Sequence, residues 1–452
     1  MTRTRGPRED AELAQRFHGA RPRRVLAAMV VLLATAVLAT GCRGGDSAGT
    51  QEGKEGIKTD VGVTDEACPQ AVDQGKGCIY LGSISDLTEG PFKTLAVPIT
   101  ESQKAFWQRV NEAGGIGGYE IDVTTYVKDN KYNPQIHNQV YQEIKPKILA
   151  LAQTLGSPTT AAILPDLKAS SIVSVPASWT SLWAFEDVII ESGINYCMES
   201  MNAIDYAIDK FDVKSVMAVH LAGDYGDDAA AGARLAAEKN GLTFTDVKTA
   251  TGQDNQGGAI DAIVNAKPDL VILTTGPTDA AVIVGQTAAR GYTGKFIGTS
   301  PTWNPGLLQS PAAPALKALY LQSGPWETFT ADTPGHQAMR ETLGTSIKGN
   351  DGYTAGWIWS YPLKAALEQA AEDKDLTRAG LLNAVKKLQS VDYEGMLPSG
   401  AGKFGGSPSE AAVRQMVIGK PDESSPTGVA TIEKFFAGPT AESFDFTKAC
   451  YL

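Results

Sequence analysis

Ser157 stands in the stretch LGSPTTAAIL (155–164), behind an apolar run and ahead of a helical one. A serine so placed could be a nucleophile, part of a phosphate loop, or the start of a helix that grips some other ligand. A nucleophile needs a base within hydrogen-bond reach. The chain has four histidines, His18, His137, His220 and His336. No two show metal-ligand spacing, and no serine, histidine and acid fall at neighbouring strand ends, so histidine-based catalysis and a metal centre have no support. A phosphate loop carries a lysine after its glycines, and this stretch has none. The remaining reading puts Ser157 at the N-cap and Pro158 at the first helical position. The free N–H groups of Thr159 and Thr160 then sit at a strand's C-terminal end, a corner that accepts an anion.

Other residues invite a functional reading for their position. GGIGGYEI (114–121) has the glycine density of a dinucleotide loop, but its order is helix, glycines, strand. A nucleotide loop needs the helix after the glycines, so these are turn residues. In Asp224–Tyr225–Gly226–Asp227–Asp228 the acids suit the first turn of a helix. Tyr225 sits at the C-terminal edge of a parallel strand, where open α/β sheets bind ligands. Tryptophans fall in strand-end loops: Trp179 and Trp183 in PASWTSLW, Trp303 in GTSPTWNP and Trp326 in SGPWET. Loop tryptophans beside Pro, Ser and Gly point to an apolar, ring-stacking cleft. Trp357 and Trp359 lie in a helix and read as packing.

The elements that must hold these residues alternate. Strands are expected at 78–84, 119–127, 148–153 and 171–175, with helices over 97–113, 134–145 and 157–167 between them. The alternation restarts with helices over 203–211, 225–240, 257–265 and 278–290 and strands at 215–222, 242–248, 269–275 and 295–300. Helices over 353–371 and 376–388 and strands at 412–420 and 428–436 close the chain. Two α/β units sharing a C-terminal segment would be joined by several crossings, a hinge arrangement.

The chain's 452 residues suffice for two to three domains. Its formal net charge is −11; residues 1–41 hold seven Arg and three acids, a net +4, which leaves −15 on the rest. Such a body repels nucleic acid and anionic lipid. Arg21, Arg23 and Arg24 precede the apolar run VLAAMVVLLATAVL (25–38), a length suited to a signal segment rather than a bilayer span. It ends in LATGC, which resembles a lipobox with Cys42 as the lipidated residue, although Ala39 stands where leucine is usual. The Gly-rich polar segment that follows reads as a disordered tether. Cys68, Cys78, Cys197 and Cys450 allow three pairings in an exported chain; Cys68 with Cys78 and Cys197 with Cys450 is favoured.

Taken in order, these pieces resemble the type I periplasmic binding proteins of ABC importers, the branch with the leucine/isoleucine/valine-binding proteins. The resemblance covers about 78–440. It runs through IYLGSISDLTEGPF, NEAGGIGGYEI, LGSPTTAA, VPASW, GDYGDDAAAG and PDLVILTTGPTDAAVIVGQTAARGY. It implies an α/β fold of two doubly wound lobes joined by a multi-strand hinge, closing over a small molecule that an ABC permease and its ATPase then import. The lobes would be 78–198 plus 325–398 and 199–324 plus 399–440, after a signal peptide (1–41) and a tether with a short disulfide loop (42–77), and before a tail (441–452). The implied ligand contacts are Gly156, Ser157, Thr159 and Thr160; Ala177, Ser178, Trp179 and Thr180; Tyr225; Thr275 and Gly276; Thr299 and Trp303. Amino-acid binders of this family also place a carboxylate in the second lobe to meet the ligand's ammonium. GTSPTWNP has no acid; Glu89, in the first lobe, is one candidate. The ligand is therefore expected to be a branched-chain amino acid or, more in keeping with the missing acid and the tryptophans, an aromatic or bulky apolar organic acid. The expected protein is a monomer without cofactor or metal, exported, lipid-anchored at Cys42 on the outer face of the cytoplasmic membrane, and performing no chemistry. A ligand-sensing receptor ectodomain and a serine hydrolase using Ser157 are the alternatives.

Overall fold

The computed structural model describes residues 50–452. The expected signal segment, the lipidation site at Cys42 and the first part of the tether lie outside the described residues. The protein is built on two open, mostly parallel sheets. In the first, Gly77–Ser85 pairs in parallel with Tyr119–Asp129 on one side and Ala150–Leu155 on the other, and Ser174–Ala177 follows Ala150–Leu155. The second runs in the order Thr243–Thr249, Ser215–Leu221, Leu270–Thr274, Lys295–Gly298, Tyr320–Gly324, Met416–Pro421, Val429–Phe436. Its first five strands are parallel and the last two antiparallel.

Both sheets are doubly wound. In each, the first strand in sequence sends its successor to one side and the next to the other, which leaves a crevice at the strands' C-terminal ends. The central strands are buried almost throughout, as Leu270–Thr274 shows at every position, which suits parallel sheets covered by helices on both faces. After the second sheet's Tyr320–Gly324, the chain returns to the first sheet. There helix Asp351–Glu372 packs on helix Lys93–Glu112, with Phe106 and Trp357 edge to face at 5.1 Å and Ser102 Oγ donating to Tyr353 O at 2.6 Å. Gly356 permits this approach: a Cβ there would lie 2.2 Å from Ile99 O. The chain then goes back to supply the last two strands of the second sheet. It thus passes between the sheets three times, the hinge arrangement expected from the sequence. No helix of the described residues is long and apolar enough to cross a membrane.

The disulfides are Cys68–Cys78 and Cys197–Cys450. The second ties the C-terminal tail to helix Tyr196–Phe211. The tether needs correction. From Gln51 onward the segment is docked: Gln51–Glu52 pairs with Lys58–Thr59, Lys58–Thr59 with Asp375–Leu376, and Val63–Thr64 with the start of Gly77–Ser85. Ile57 is fully buried and Lys54 N donates to Tyr119 Oη at 2.7 Å. One isoleucine and backbone pairing fix a stretch whose polar composition hides it. Strand Tyr320–Gly324 and helices Ala313–Leu319 and Pro334–Leu343 were not marked by sequence period, each being short and bounded by Pro or Gly.

Candidate ligand-binding cavity

A cavity of about 110 Å³ lies at the C-terminal ends of both sheets. The first sheet contributes Leu155, Gly156 and Ser157 from one strand end and Ala177, Ser178 and Trp179 from the next; the second contributes Ser300, Pro301 and Trp303, then Gln322, Ser323 and Gly324. Tyr225 enters from the helix that follows the second sheet's first strand, and Phe92 from the loop after Gly77–Ser85. Asp86 shapes that loop, accepting from Gly90 N at 2.8 Å and Phe92 N at 2.9 Å. Burial raises its carboxyl above the usual range, and those two bonds pull the other way.

Aromatic rings run through the wall without a break. Trp359 packs on Trp179 at 4.7 Å between centroids and on Trp326 at 5.7 Å. Trp179 meets Tyr196 at 5.8 Å, Tyr196 meets Tyr225 at 4.7 Å, Tyr225 meets Phe92 at 6.1 Å, and Phe92 meets Tyr132 at 4.8 Å. Two indoles are tied down: Trp179 Nε1 donates to Ser192 O and Trp303 Nε1 to Thr427 O, both at 2.9 Å. These rings therefore offer faces and edges rather than donors.

Polar groups are few and mostly neutral. Helix Ser157–Ala169 begins at the cavity, and its cap is Gly156, not Ser157. The correction has a steric cause. The chain turns through φ +98 at residue 156, where a side chain is disfavoured and a Cβ would lie 2.7 Å from both the Thr159 hydroxyl and the Tyr132 ring. Ser157, moved to the first helical position, is spared from capping. Its Oγ is buried and finds no partner among the described residues. Ser178 Oγ accepts from Trp183 Nε1 at 3.1 Å, which leaves its own hydrogen to donate. Among the cavity-lining residues there is no Lys, Arg or His, and Asp351 is the only carboxylate. Asp351 accepts from Phe329 N at 2.8 Å, and burial raises it to about 6 against that bond and one from Thr427.

Behind the wall stands Glu199. Its Oε1 accepts from Ser300 N at 3.0 Å and Ser323 Oγ at 2.6 Å, so one buried carboxylate holds two cavity-lining residues. Burial raises it to about 7, the two bonds opposing. Asp228 braces the other side, accepting from Ser181 N at 2.8 Å and from the Ser181 hydroxyl. It is raised to about 7 by burial, and Asp224 to about 6.

Of the residues expected from sequence, Gly156, Ser157, Ala177, Ser178, Trp179, Tyr225 and Trp303 line the cavity. Thr275 and Thr299 do not; they orient Tyr225, whose hydroxyl is 3.3 Å from Thr275 O and 3.1 Å from Thr299 Oγ1. Thr159 and Thr160 lie behind the Gly156 turn, with Thr159 Oγ1 donating to Gly156 O at 2.9 Å and Thr160 Oγ1 beside Thr154 Oγ1 at 2.9 Å. Thr180 and Gly276 lie outside the lining, Gly276 as the cap of helix Pro277–Ala289. Glu89 is on the surface, paired with Lys131 at 3.0 Å, too exposed to serve as a buried counter-ion. Sequence reasoning missed Phe92, Tyr132, Tyr196, Asp351 and Trp359. The rule that picked out the loop tryptophans would also have found Tyr132, which stands in the loop after Tyr119–Asp129. Trp359 and Asp351 gave no such signal. His137, the histidine nearest in sequence to Ser157, is committed to Asn130 and Thr154 Oγ1, each at 3.0 Å, so it supplies no base for a hydrolase. Among the described residues no group of three His, Cys, Asp or Glu converges as a metal site would.

Two doubly wound sheets, joined by three passages of the chain and facing each other across an aromatic cavity, define the type I class of two-lobed ligand-binding proteins. The chain belongs to the periplasmic binding protein family, whose model matches residues 79–426, and is a solute-binding protein of ABC transporters. Among solved structures it is similar to a fatty acid ABC transporter substrate-binding protein from Thermomonospora curvata. The two share 28% identity over 87% of this chain and 98% of that one, with a TM-score of 0.79. A branched chain amino acid ABC transporter protein from Thermus thermophilus with bound valine shares the fold at 17% identity, over 81% and 98% of the chains, with a TM-score of 0.70. So does a solute binding protein from Rhodopseudomonas palustris BisB5 in complex with 3,4-dihydroxy benzoic acid, at 17% identity over 80% and 96%, with a TM-score of 0.65. No curated protein matches the chain.

Proposed function

We propose that this protein captures an apolar organic acid between two lobes and presents it to an ABC permease while anchored outside the cytoplasmic membrane by lipid on Cys42. The observation that carries the ligand class is the lining: a continuous aromatic wall, neutral hydroxyl donors at a helix start, and no cation. The helix start and Ser157 receive the acid group, the first-turn N–H groups and local dipole doing the work of a positive charge. Ser178 stands on the adjacent strand end, Trp179 and Trp303 hold the apolar body, and Tyr225, set by Thr275 and Thr299, closes over it. An α-amino acid is disfavoured because its ammonium would need an ionised partner. Asp351, the one acid present, is bonded to Phe329 N and half-way to neutral at pH 6. The relative at 28% identity is described as a fatty acid binder, which supports the same class.

The lobes are taken as 78–198 plus 325–398 and 199–324 plus 399–440, acting as a monomer, with ligand favouring the closed form by its higher affinity for it. The test is a thermal-shift and calorimetric screen of residues 50–452 against fatty acids, aromatic acids and branched-chain amino acids. A true ligand at 100 times its dissociation constant adds about 2.7 kcal/mol. Stabilisation by leucine or valine with none by any apolar acid would overturn the ligand class.

A further inference from the structure

The wall that sequence reasoning assigned to packing has an unmet donor. Asp351, Ala355 and Trp359 line the cavity at i, i+4 and i+8 of helix Asp351–Glu372, one face of the helix. Eight residues at 1.5 Å each make that face roughly 12 Å long. The Trp359 side chain is 1% exposed, and its indole Nε1 finds no acceptor among the described residues. Two other indoles of the lining differ: Trp179 and Trp303 both spend their N–H on backbone carbonyls. An indole nitrogen only donates. A buried donor without an acceptor is costly, and a ligand oxygen would relieve that cost.

We propose that Trp359 is a specificity-determining residue that donates its indole N–H to an oxygen carried on the apolar body of the ligand, separate from the acid group held at Ser157. The preferred substrate class is then an oxygenated apolar acid, such as a hydroxy or keto acid, rather than a plain hydrocarbon acid. This rests on the apolar-acid reading above. Two indoles of the lining, Trp179 and Trp303, are fixed and shape the slot; of the lining tryptophans, Trp359 is the one whose N–H is buried without a partner among the described residues, and it reads the ligand. A site built to hydrogen-bond an oxygen rejects the analogue that lacks it, because its own donor is then left buried and unpaired.

The probes are dodecanoic acid and a set of dodecanoic acids with a hydroxyl at successive chain positions, titrated calorimetrically into wild type and Trp359→Phe. Phenylalanine keeps an aromatic ring and removes the N–H. At least one hydroxylated isomer should bind wild type about tenfold tighter than the plain acid, a typical effect of satisfying one buried donor. Trp359→Phe should abolish that preference while still binding the plain acid, which also shows that the variant folds. Equal binding of all isomers by wild type, or an equal loss for every acid in Trp359→Phe, would overturn the role of Trp359 and leave the apolar-acid reading standing. If no acid in the set binds wild type, the apolar-acid reading fails and this inference fails with it.

Discussion

Replacing Glu199 by glutamine should be clearly more favourable to stability at pH 8 than at pH 5. Glu199 is buried, and its carboxyl titrates near 7 in the folded protein against 4.5 for a free glutamate. The folded value is raised, so the protonated carboxyl is the form the fold favours. Its contribution is fully present below pH 4.5, declines as the pH rises, and is lost on passing through about 7. The shift of roughly 2.5 units corresponds to about 3 kcal/mol at 1.36 kcal/mol per unit. Glutamine keeps an oxygen to accept from Ser300 N and Ser323 Oγ and never ionises. Its extra N–H groups cost something at both pH values, so the informative quantity is the change in the mutational effect between them. Urea unfolding followed by tryptophan fluorescence at pH 5 and pH 8 measures it. About 0.8 kcal/mol of the Glu199 contribution is already lost at pH 5, so the Glu199→Gln minus wild-type difference should become more favourable by roughly 2.5 kcal/mol from pH 5 to pH 8. Subtracting wild type removes the similar contribution of Asp228. A difference that stays constant within about 0.5 kcal/mol, inside the scatter of such extrapolations, would refute the claim that burial governs this carboxyl.

The other expectations are simpler to check. Ser157→Ala should weaken ligand binding about fivefold in calorimetry, the loss of one hydrogen bond, without lowering stability, because the Ser157 hydroxyl bonds nothing among the described residues. Replacing Cys197 and Cys450 together by serine should lower stability by about 2–5 kcal/mol in chemical denaturation, since the bond closes a chain separation of 253 residues. Removing Cys68–Cys78, with a separation of only 10, should cost less.

The alternating strands and helices were legible because buried parallel strands and amphipathic helices leave strong periods, and the predicted helix at 134–145 is observed as Pro134–Ile144. Strand-end loops were legible for a related reason: once the strands are placed, topology fixes where the cleft lies, and Trp179, Trp303 and Tyr225 follow from it. Two kinds of residue escaped. Thr159 and Thr299 sit within two residues of the lining, but which of two neighbours faces the cavity depends on backbone turns that sequence does not reveal, as the Gly156 turn illustrates; Thr160 and Thr275 stand one layer behind it, Thr275 against the Tyr225 hydroxyl. Trp359 and Asp351 escaped because a helix face against a cavity has the same period as one against a core. Glu199 escaped differently. It looks like an ordinary acid in a helix's first turn, and only the fold carries Ser300 and Ser323 to it from more than 100 positions away.

The way the cavity is divided also bears on how ligand binding could be reported to a permease. Neither lobe holds the site alone: Ser157 and Trp179 come from one sheet's strand ends, Ser300 and Trp303 from the other's, and Trp326 and Trp359 from the returning chain. A ligand touching only one of these groups would bind open and closed forms equally and shift nothing. Carrying the equilibrium from 1:99 open to 99:1 closed takes about 5.5 kcal/mol of differential affinity. At roughly 0.8 kcal/mol per buried methylene, that is about seven methylene groups buried only on closure. A single carboxylate at Ser157, bound mainly by one lobe, cannot supply that difference; an apolar body long enough to touch both tryptophan groups can. For the apolar acid proposed here, the acid corner would therefore select and orient the ligand, while the aromatic wall spanning both sheets would supply the free energy of closure.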